Sequence, residues 1–386
     1  MIDIQKNISL KPYNTFAVDV QADFFTEVKN EQDILDLISN DIFTTQPHLI
    51  LGWGANILFT KDYNGLVVKV SLMGKEVVKE EDNTVYVKVW AGENRHEVMM
   101  WSLEQWYVWW ENLVSIPGQV WSAPVGNIGA YGKEAKDIIF EVEWIDIATK
   151  EKKVRTNNEC AFGYRESIFK HELKDKFIIT AVTFVFIKRC NENLKPSEDF
   201  HDIEFIPTTL DASSSNEVKK LKISKADRCE KQSSDYIPNI QYNDIQERIV
   251  HLWIDPSTIT AQEVANIIIN IREGKLPDRK KIGTAGSFFK NPVVEKDQFE
   301  NLLVKYPQLK WNEVANGIKL SAGQLIEMAG YKWKSEWPVS TYDKHALIIV
   351  NNGGASGPEI RAFAQAIEKK VLELFDVSLE PEVIIM

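Results

Sequence analysis

Three strand-like runs in the first half of the chain constrain its fold more than any other feature. TVYVKVWAG (84–92), IIFEVEWIDI (138–147) and KFIITAVTFVFIK (176–188) combine β-branched and aromatic residues in partial alternation. Such runs are typical of half-buried strands, because successive side chains of a strand point to opposite faces. Residues 48–71 hold two further apolar runs around the loop GWGAN at 52–56 and predict two buried strands. The first half is therefore predicted to be α+β.

Two capping signals predict helices in the second half. TAQE, starting at Thr260, fits a capping box, and apolar residues follow at helical spacing up to Gly274 and Pro277. SGPE at 356–359 predicts the start of another helix, which we expect to pack on the strand ALIIV at 346–350. The apolar stripe of that helix consists of Ile360, Phe363, Ala364, Ile367, Val371 and Leu374. These elements predict a separate α/β unit.

The bulk composition limits the class of protein. With 386 residues the chain is longer than one hydrophobic core usually organises, so two or three domains are expected. A formal net charge of -11 opposes a general nucleic-acid or anionic-membrane binder, so any basic site has to be local. Three cysteines without CxxC spacing argue against a disulfide framework or a zinc site. With no leader-like start and no long apolar run, we expect a cytoplasmic, soluble protein without a metal or a membrane insertion.

Two glycine-containing segments are candidate ligand loops. GWGAN at 52–56 lies between predicted strands, where glycine lets a backbone approach a pyrophosphate closely. A short loop of this kind is more often a simple turn, and no GxGxxG helix start is present. The second segment, IPGQVWSAPVGNIGAYG at 116–132, is long and has few charges. It fits either a wandering loop or backbone wrapped around a large planar ligand.

Three short motifs offer groups for acid–base or electrostatic chemistry. Arg165 in FGYRESIFK is suited to stabilise an oxyanion, although a lone arginine is more often a surface residue. Ser287 in AGSFFKNP is a candidate proton donor, although most serines after glycine only hydrogen-bond a loop. Glu380 and Glu382 in LEPEV share one strand face, and such a pair is ordinarily solvated.

The order and spacing of the motifs is more informative than any one of them. The set consists of YNTF (13–16), LGxGxNILF (51–59), AGE (91–93), ENL and IPG (111–118), NIGAYG (127–132), ECxFGYR (159–165), KLPD (275–278), AGSFFKNP (285–292), SAGQLIEMAG (321–330) and LEPEV (379–383). In this order the motifs resemble those of the UDP-N-acetylenolpyruvoylglucosamine reductase (MurB) family in its type I form. The resemblance covers nearly the whole chain outside the segment 191–237.

The resemblance implies a fold and a domain order. It implies a two-subdomain FAD-binding unit of the vanillyl-alcohol-oxidase (PCMH) type, followed by a separate α/β substrate-binding domain. The predicted limits are 1–72 and 73–190 for the two FAD-binding subdomains, 191–237 for a flexible insertion, 238–378 for the substrate domain and 379–386 for a returning C-terminal strand. The insertion is also predicted from its Ser, Lys and Glu content, which gives little apolar periodicity.

The resemblance also implies a reaction and its site residues. Members reduce UDP-N-acetyl-enolpyruvylglucosamine to UDP-N-acetylmuramate with NADPH and FAD, in peptidoglycan precursor synthesis. Ser287 matches the serine that protonates the enolate, while Arg165 and Glu382 match the residues that stabilise or polarise it. The substrate contacts that the match implies are Tyr242, Lys275, Asn291 and His345. The implied FAD contacts are Gly52, Gly54, Ala55, Asn56, Gly118, Ser122, Pro124, Asn127, Gly129 and Ala130, and we expect a monomer.

This sequence departs from the family pattern mainly through tryptophan. Trp53, Trp90, Trp106, Trp109, Trp121 and Trp333 stand where the pattern has glycine, and Trp110 stands where it has leucine. Where glycine serves a positive φ, a tryptophan adds backbone strain, and Trp53 and Trp121 fall within the two predicted flavin loops. Gly126 and His345 replace glutamine-type positions, and Asn243 replaces a glycine. Two alternatives therefore stay open: a MurB-derived fold with impaired or lost FAD binding, and another flavin oxidase of the same superfamily.

Overall fold

The computed structural model describes residues 2–81, 83–189, 236–314 and 316–386, together with the backbone at 200–203 and 221–224. Within the segment predicted as an insertion, the strands Phe200–Ile203 and Leu221–Ser224 pair antiparallel. The rest of that segment up to residue 235 lies outside the described residues.

The N-terminal part forms a four-stranded mixed sheet. Its strand order is Gln5–Ser9, Gln21–Val28, Tyr63–Val70 and His48–Leu51. The first pair is antiparallel, and the other two pairs are parallel. The helices Glu31–Ile38 and Asp41–Thr45 supply the crossover that a parallel pair needs. The predicted strands on both sides of the 52–56 loop are confirmed.

The second sheet is antiparallel and contains the three runs that were predicted as strands. Its order is Lys152–Thr156, Ile139–Asp146, Phe177–Lys188, Thr84–Trp90 and Lys75–Glu81, and Tyr107–Val108 pairs with one end of Phe177–Lys188. The helix Arg95–Glu104 follows this sheet's Thr84–Trp90 strand, and the short helix Ser122–Gly126 lies within the predicted glycine-rich loop.

The described C-terminal residues carry small antiparallel sheets and several helices. One sheet has the order Val293–Val294, Gly317–Leu320 and Trp311–Val314, and the other has the order Ser335–Glu336, Val339–Tyr342 and His345–Asn351. The helices after residue 276 are Lys296–Lys305, Ala322–Ile326, its π-helical extension Glu327–Tyr331, and Gly357–Phe375. Two further helices, Asn243–His251 and Ala261–Lys275, precede them. No helix in the described part of the chain has the length and apolarity to cross a membrane.

Both predicted capping boxes are confirmed. Thr260 caps Ala261–Lys275 with Glu263 reaching back, and Ser356 caps Gly357–Phe375 with Glu359. The stripe of the latter helix is buried as expected except for Leu374, which is exposed, while Phe375 is buried in its place. A helix face drifts with 3.6 residues per turn, so the last residue of a long stripe is the least certain.

The apolar side chains form two clusters that do not follow chain order. The first joins the antiparallel sheet to the helices Asn243–His251 and Ala261–Lys275. The second joins the N-terminal residues 10–25 and 51–59 to most of the chain after residue 285. The Ala261–Lys275 helix packs in the first cluster, together with the antiparallel sheet. The domain limits given above stay predictions.

A candidate active site where three chain segments meet

Three segments that are distant in sequence meet in space, namely 283–290, 345–351 and 379–385. The residues 283–290 form single bridges to two neighbours, with Ser287 opposite Ile348 and Phe289 opposite Pro381. The N–H of Glu382 donates to the carbonyl of Phe288 at 2.8 Å. Ser287 and Glu382 are therefore held by adjacent positions of two paired backbones.

Arg165 reaches the same place from the first half of the chain. Its Nε lies 3.7 Å from Oε1 of Glu382, and both side chains are about one-third exposed. Its Nη2 donates to the carbonyl of Gly129 at 3.1 Å, which links it to the glycine-rich loop. Arg165 has φ +59°, a left-handed conformation that non-glycine residues seldom adopt. Such residues often mark functional sites, because the surrounding structure has to impose them.

Lys170 adds a second cation near this group. Its Nζ donates to the backbone carbonyl of Arg165 at 2.6 Å. Burial lowers the pKa of the Lys170 ammonium, while the carboxylates of Glu166 and Glu382 act in the opposite direction. Lys170 was not singled out from the sequence, although it closes the same FGYRESIFK motif.

The 52–56 loop has the backbone of a close-approach turn. Gly54 has φ +59°, and a Cβ there would lie 2.2 Å from the carbonyl oxygen of Tyr13, so only glycine fits. Asn56 donates from Nδ2 to the carbonyl of Glu382 at 3.0 Å. Its side chain thus ties the loop to the C-terminal segment, and Ile384–Ile385 pairs with Ile57–Leu58 beside it. Ala55, between Gly54 and Asn56 in the loop, is half-buried.

The second loop is held internally by several predicted flavin contacts. Gly118 has φ +115° and accepts from the N–H of Arg95. The Ser122 hydroxyl donates to the carbonyl of Gln119 at 2.9 Å. Asn127 is fully buried. Its Nδ2 donates to the carbonyl of Gly163 and to the Glu134 carboxylate, and its Oδ1 accepts from the N–H of Lys136. Its side chain is therefore committed to shaping the loop. Pro124 is buried, whereas Gly129 and Ala130 form a short strand.

Trp121 belongs to the second loop and packs against the first. A Cβ on Gly52 would lie 2.8 Å from the Trp121 Nε1, so the indole packs directly against the first loop. The same Nε1 donates to Oε1 of Gln119 at 3.3 Å. Trp53 is 39% exposed. The two tryptophans therefore differ in their relation to the predicted flavin loops.

Three of the predicted substrate contacts form a second group. Tyr242 is half-exposed, and its ring centre lies 5.4 Å from that of Tyr131. Lys275 donates to Oδ2 of Asp244 at 2.7 Å, in the first turn of the helix that Tyr242 precedes. Burial, followed by the charge of Lys275, lowers the pKa of His345. Lys275 therefore lies near both ends of this group.

Asn291 lines a polar cavity that the sequence did not predict. The cavity measures about 510 Å³ and is bordered by Asn291, Leu309, Lys310, Trp311, Asn312, Lys319, Leu320 and Ser321. The Lys319 ammonium lies 5.2 Å from the ring centre of Tyr164, the neighbour of Arg165, so the cavity adjoins the catalytic candidates. The Asn291 Oδ1 accepts from the N–H of Ala322, the first residue of a helix. Lys310 and Lys319 were not predicted as site residues, because neither belongs to a charged run.

The structure bears on the strain expected from tryptophan at glycine positions. Trp106, Trp109 and Trp333 have φ values of 62°, 134° and 59°, so these three do occupy left-handed positions. Trp121 has φ -56° and is unstrained. Trp110 is fully buried, donates to the Ser102 hydroxyl at 3.1 Å and packs against Phe184. No group of three or more potential metal ligands occurs among the described residues.

Comparisons with known proteins agree with this geometry. Residues 22–152 match a model described as an FAD binding domain, and residues 277–386 match that of the UDP-N-acetylenolpyruvoylglucosamine reductase C-terminal domain. The chain is 37% identical over 383 residues to the UDP-N-acetylenolpyruvoylglucosamine reductase of Flavobacterium johnsoniae, covering 99% of both chains. It is 36% identical to that of Chromobacterium violaceum, covering 100% of this chain and 99% of the relative.

A solved structure supports the fold over the whole chain. The crystal structure of MurB from Thermus caldophilus superposes with a TM-score of 0.60 at 18% identity, covering 100% of this chain and 99% of that one. Together with the full-length sequence identities, this match excludes the alternative that the chain is another flavin oxidase of the same superfamily. The chain belongs to the UDP-N-acetylenolpyruvoylglucosamine reductase family.

Proposed function

We propose that this chain reduces UDP-N-acetylenolpyruvoylglucosamine to UDP-N-acetylmuramate, with Ser287, Arg165 and Glu382 as its catalytic residues. The observation that carries the proposal is the contact of Arg165 with Glu382 at 3.7 Å, beside the backbone that presents Ser287. The FAD-binding match and the family give FAD and NADPH as the cofactors.

The three side chains suit the charge that the reaction develops. FAD, once bound and reduced by NADPH, supplies the hydride. Reduction of an enol ether conjugated to a carboxylate builds up an enolate beside an existing negative charge, which needs a fixed cation and a proton donor. Arg165 provides the cation, and Ser287 donates its proton to C2. A serine hydroxyl is a weak acid, so the nearby cations Arg165 and Lys170 have to favour its ionised form.

The second group of residues suits the nucleotide part of the substrate. Lys275, with Lys310 and Lys319 of the cavity beside Asn291, offers ammonium groups to a diphosphate. Tyr242 and Tyr131 offer aromatic faces next to Lys275, and His345 lies close enough to feel its charge. A chain with a net charge of -11 thus concentrates cations where an anionic substrate has to bind.

The two loops fit a flavin dinucleotide through their backbone. Gly54 and Gly118 hold left-handed conformations, and the buried Arg95 Nε has no hydrogen-bond partner, as expected beside a site for an anion. The Trp121 indole against Gly52 is the one observation that favours the alternative, a related fold whose flavin affinity is impaired.

The catalytic assignment is tested with Ser287→Ala. We expect flavin content and NADPH oxidation by bound FAD to stay close to those of the parent, while reduction of the enolpyruvyl substrate slows by at least about 100-fold. Stopped-flow absorbance of the flavin separates the two half-reactions. Undiminished product formation would remove Ser287 from the mechanism. A parent protein purified without flavin and unable to bind it would instead support the alternative.

We also propose that the protein is a cytoplasmic monomer. A single species near the chain mass of 44.3 kDa in size-exclusion chromatography with light scattering would support the monomer.

A further inference from the structure

Arg95 is a buried cation without a carboxylate partner. Its side chain is 3% exposed, and it forms no ion pair among the described residues. Nη2 donates to the carbonyl of Pro117, Nη1 makes only a long contact of 3.4 Å with the Ser122 hydroxyl, and Nε has no partner. An isolated buried charge is costly unless an opposite charge compensates it.

Arg95 lies directly beneath the glycine-rich loop. Its N–H donates to the carbonyl of Gly118, and a Cβ on Gly118 would lie 2.6 Å from its Nη2. The guanidinium therefore occupies the space that any larger residue at position 118 would need. It touches Pro117, Gly118 and Ser122, three successive contacts on the loop predicted to hold FAD.

Arg279 is a second cation, half-buried rather than buried. Its Nη2 lies 3.7 Å from the position of a Cβ on Gly286, so it reaches over the segment that carries Ser287. It makes no hydrogen bond or ion pair among the described residues. Burial, followed by the charges of Arg279 and Arg165, lowers the pKa of Arg95 to about 9, and burial followed by Arg272 lowers that of Arg279 to about 10. The cations thus repel one another in the absence of an anion.

We propose that Arg95 and Arg279 form a side-chain clamp for the pyrophosphate of FAD, added to the backbone contacts of the two loops. This inference deepens the proposed function and rests on it for the identity of the ligand. A guanidinium offers paired donors that match phosphate oxygens, and a phosphoanion would neutralise the mutual repulsion. The diphosphate of the substrate shares this chemistry and is the competing source, but the contacts of Arg95 with the flavin loop favour FAD.

The test compares Arg95→Met and Arg279→Met with the parent, and Arg155→Met is the control because it removes a partly exposed arginine of equal charge that lies outside the two loops. Flavin fluorescence quenching measures the affinity of the apoprotein for FAD, FMN and riboflavin, and calorimetry measures that for ADP and UDP. Each clamp variant is expected to weaken binding of FAD and ADP by about 10-fold or more, the size of one charge-assisted hydrogen bond, and to leave riboflavin unchanged.

Thermal unfolding keeps the test decisive for a buried residue. Removal of an unpaired buried cation should leave the FAD-free Arg95→Met protein at least as stable as the parent, while the gain in melting temperature on adding FAD shrinks. A purely structural arginine would instead lower the melting temperature of the FAD-free protein.

The outcomes separate this inference from the proposed function. Equal losses for FAD and riboflavin, or unchanged affinity for both FAD and ADP, would overturn the clamp even in an active reductase. A loss confined to UDP would overturn it in favour of the substrate's diphosphate. If ADP binding depends on Arg95 but the protein has no reductase activity, the clamp is supported and the proposed function is contradicted.

Discussion

At the scale of single residues, Trp253 shows the clearest conflict between side chain and backbone. It follows the helix Asn243–His251 with φ +53° and is 94% exposed. The N–H of Ile254 bonds the carbonyl of Ile249, and that of Trp253 bonds Val250, which is the Schellman pattern with tryptophan at the position that favours glycine. The sequence did not predict this motif, because tryptophan carries no signal for a helix end.

We predict that Trp253→Gly raises the free energy of unfolding by about 1 kcal/mol, since it relieves the left-handed strain and removes almost no buried surface. Trp253→Ala is the matched control, because it deletes the indole but keeps the Cβ. Urea unfolding followed by circular dichroism measures both. Equal stabilisation by glycine and alanine would show that the indole, and not the backbone, is the source of the effect.

His345 should make stability depend on pH. Burial lowers its pKa below the ordinary 6.5, so the unfolded chain binds more protons as the pH falls through that value. The stability that the neutral imidazole retains above about pH 6.5 is therefore lost progressively on acidification. We predict that the unfolding free energy falls less between about pH 7.5 and 5.5 in His345→Gln than in the parent. Parallel pH profiles for the two proteins would contradict this assignment.

At the scale of elements, local signals predicted the helix starts, and the helix Gly357–Phe375 packs with the strand His345–Asn351 as expected. The helix starts at Thr260 and Ser356 were read from side chains three residues apart, because a capping box is a local hydrogen-bond pattern. Which sheet the Ala261–Lys275 helix packs with was not predicted, since an apolar stripe does not specify its partner. The left-handed backbone conformation of Arg165 was likewise not predictable from its sequence.

The loop pair at 52–56 and 116–132 gives a prediction at the same scale. Trp121 packs against Gly52, whereas Trp53 is exposed, so only the former narrows the space between the loops. We predict that Trp121→Gly strengthens FAD binding by about 10-fold or more, a change of about 1.4 kcal/mol, and that Trp53→Gly changes it little. Fluorescence titration of the apoproteins measures both. Weaker binding in Trp121→Gly would mean that the indole supports the cofactor.

At the scale of the whole molecule, the ordered motifs located the catalytic candidates before any contact was known. Arg165, Ser287 and Glu382 belong to segments that meet only through long-range pairing, and the family resemblance supplied what local patterns cannot. The cations Arg95, Arg279, Lys310 and Lys319 were missed for the converse reason. Their significance lies in their neighbours across the fold, which no local sequence pattern shows.

Arg189 and Tyr236, the two residues that flank the segment 190–235, contact each other on the body of the protein. The Arg189 guanidinium lies 5.3 Å from the ring centre of Tyr236, and the Arg189 N–H bonds the carbonyl of Trp106 at 3.0 Å. The Tyr236 hydroxyl donates to Oε1 of the buried Glu111, and burial raises the pKa of that carboxyl. Tyr236 is 9% exposed, so it belongs to the packed body although the predicted insertion included it.

We therefore predict that residues 191–235 can be replaced by a Gly-Ser linker of about six residues with a change in melting temperature within about 2 °C, because the flanking residues are already adjacent. Deletion through residue 237 is the matched control. It removes the Tyr236 hydroxyl, leaves Glu111 buried without that donor, and should lower the unfolding free energy by about 1 to 3 kcal/mol. Differential scanning calorimetry of the two deletions measures the difference. A large drop in melting temperature for the shorter deletion would show that residues within 191–235 pack on the body.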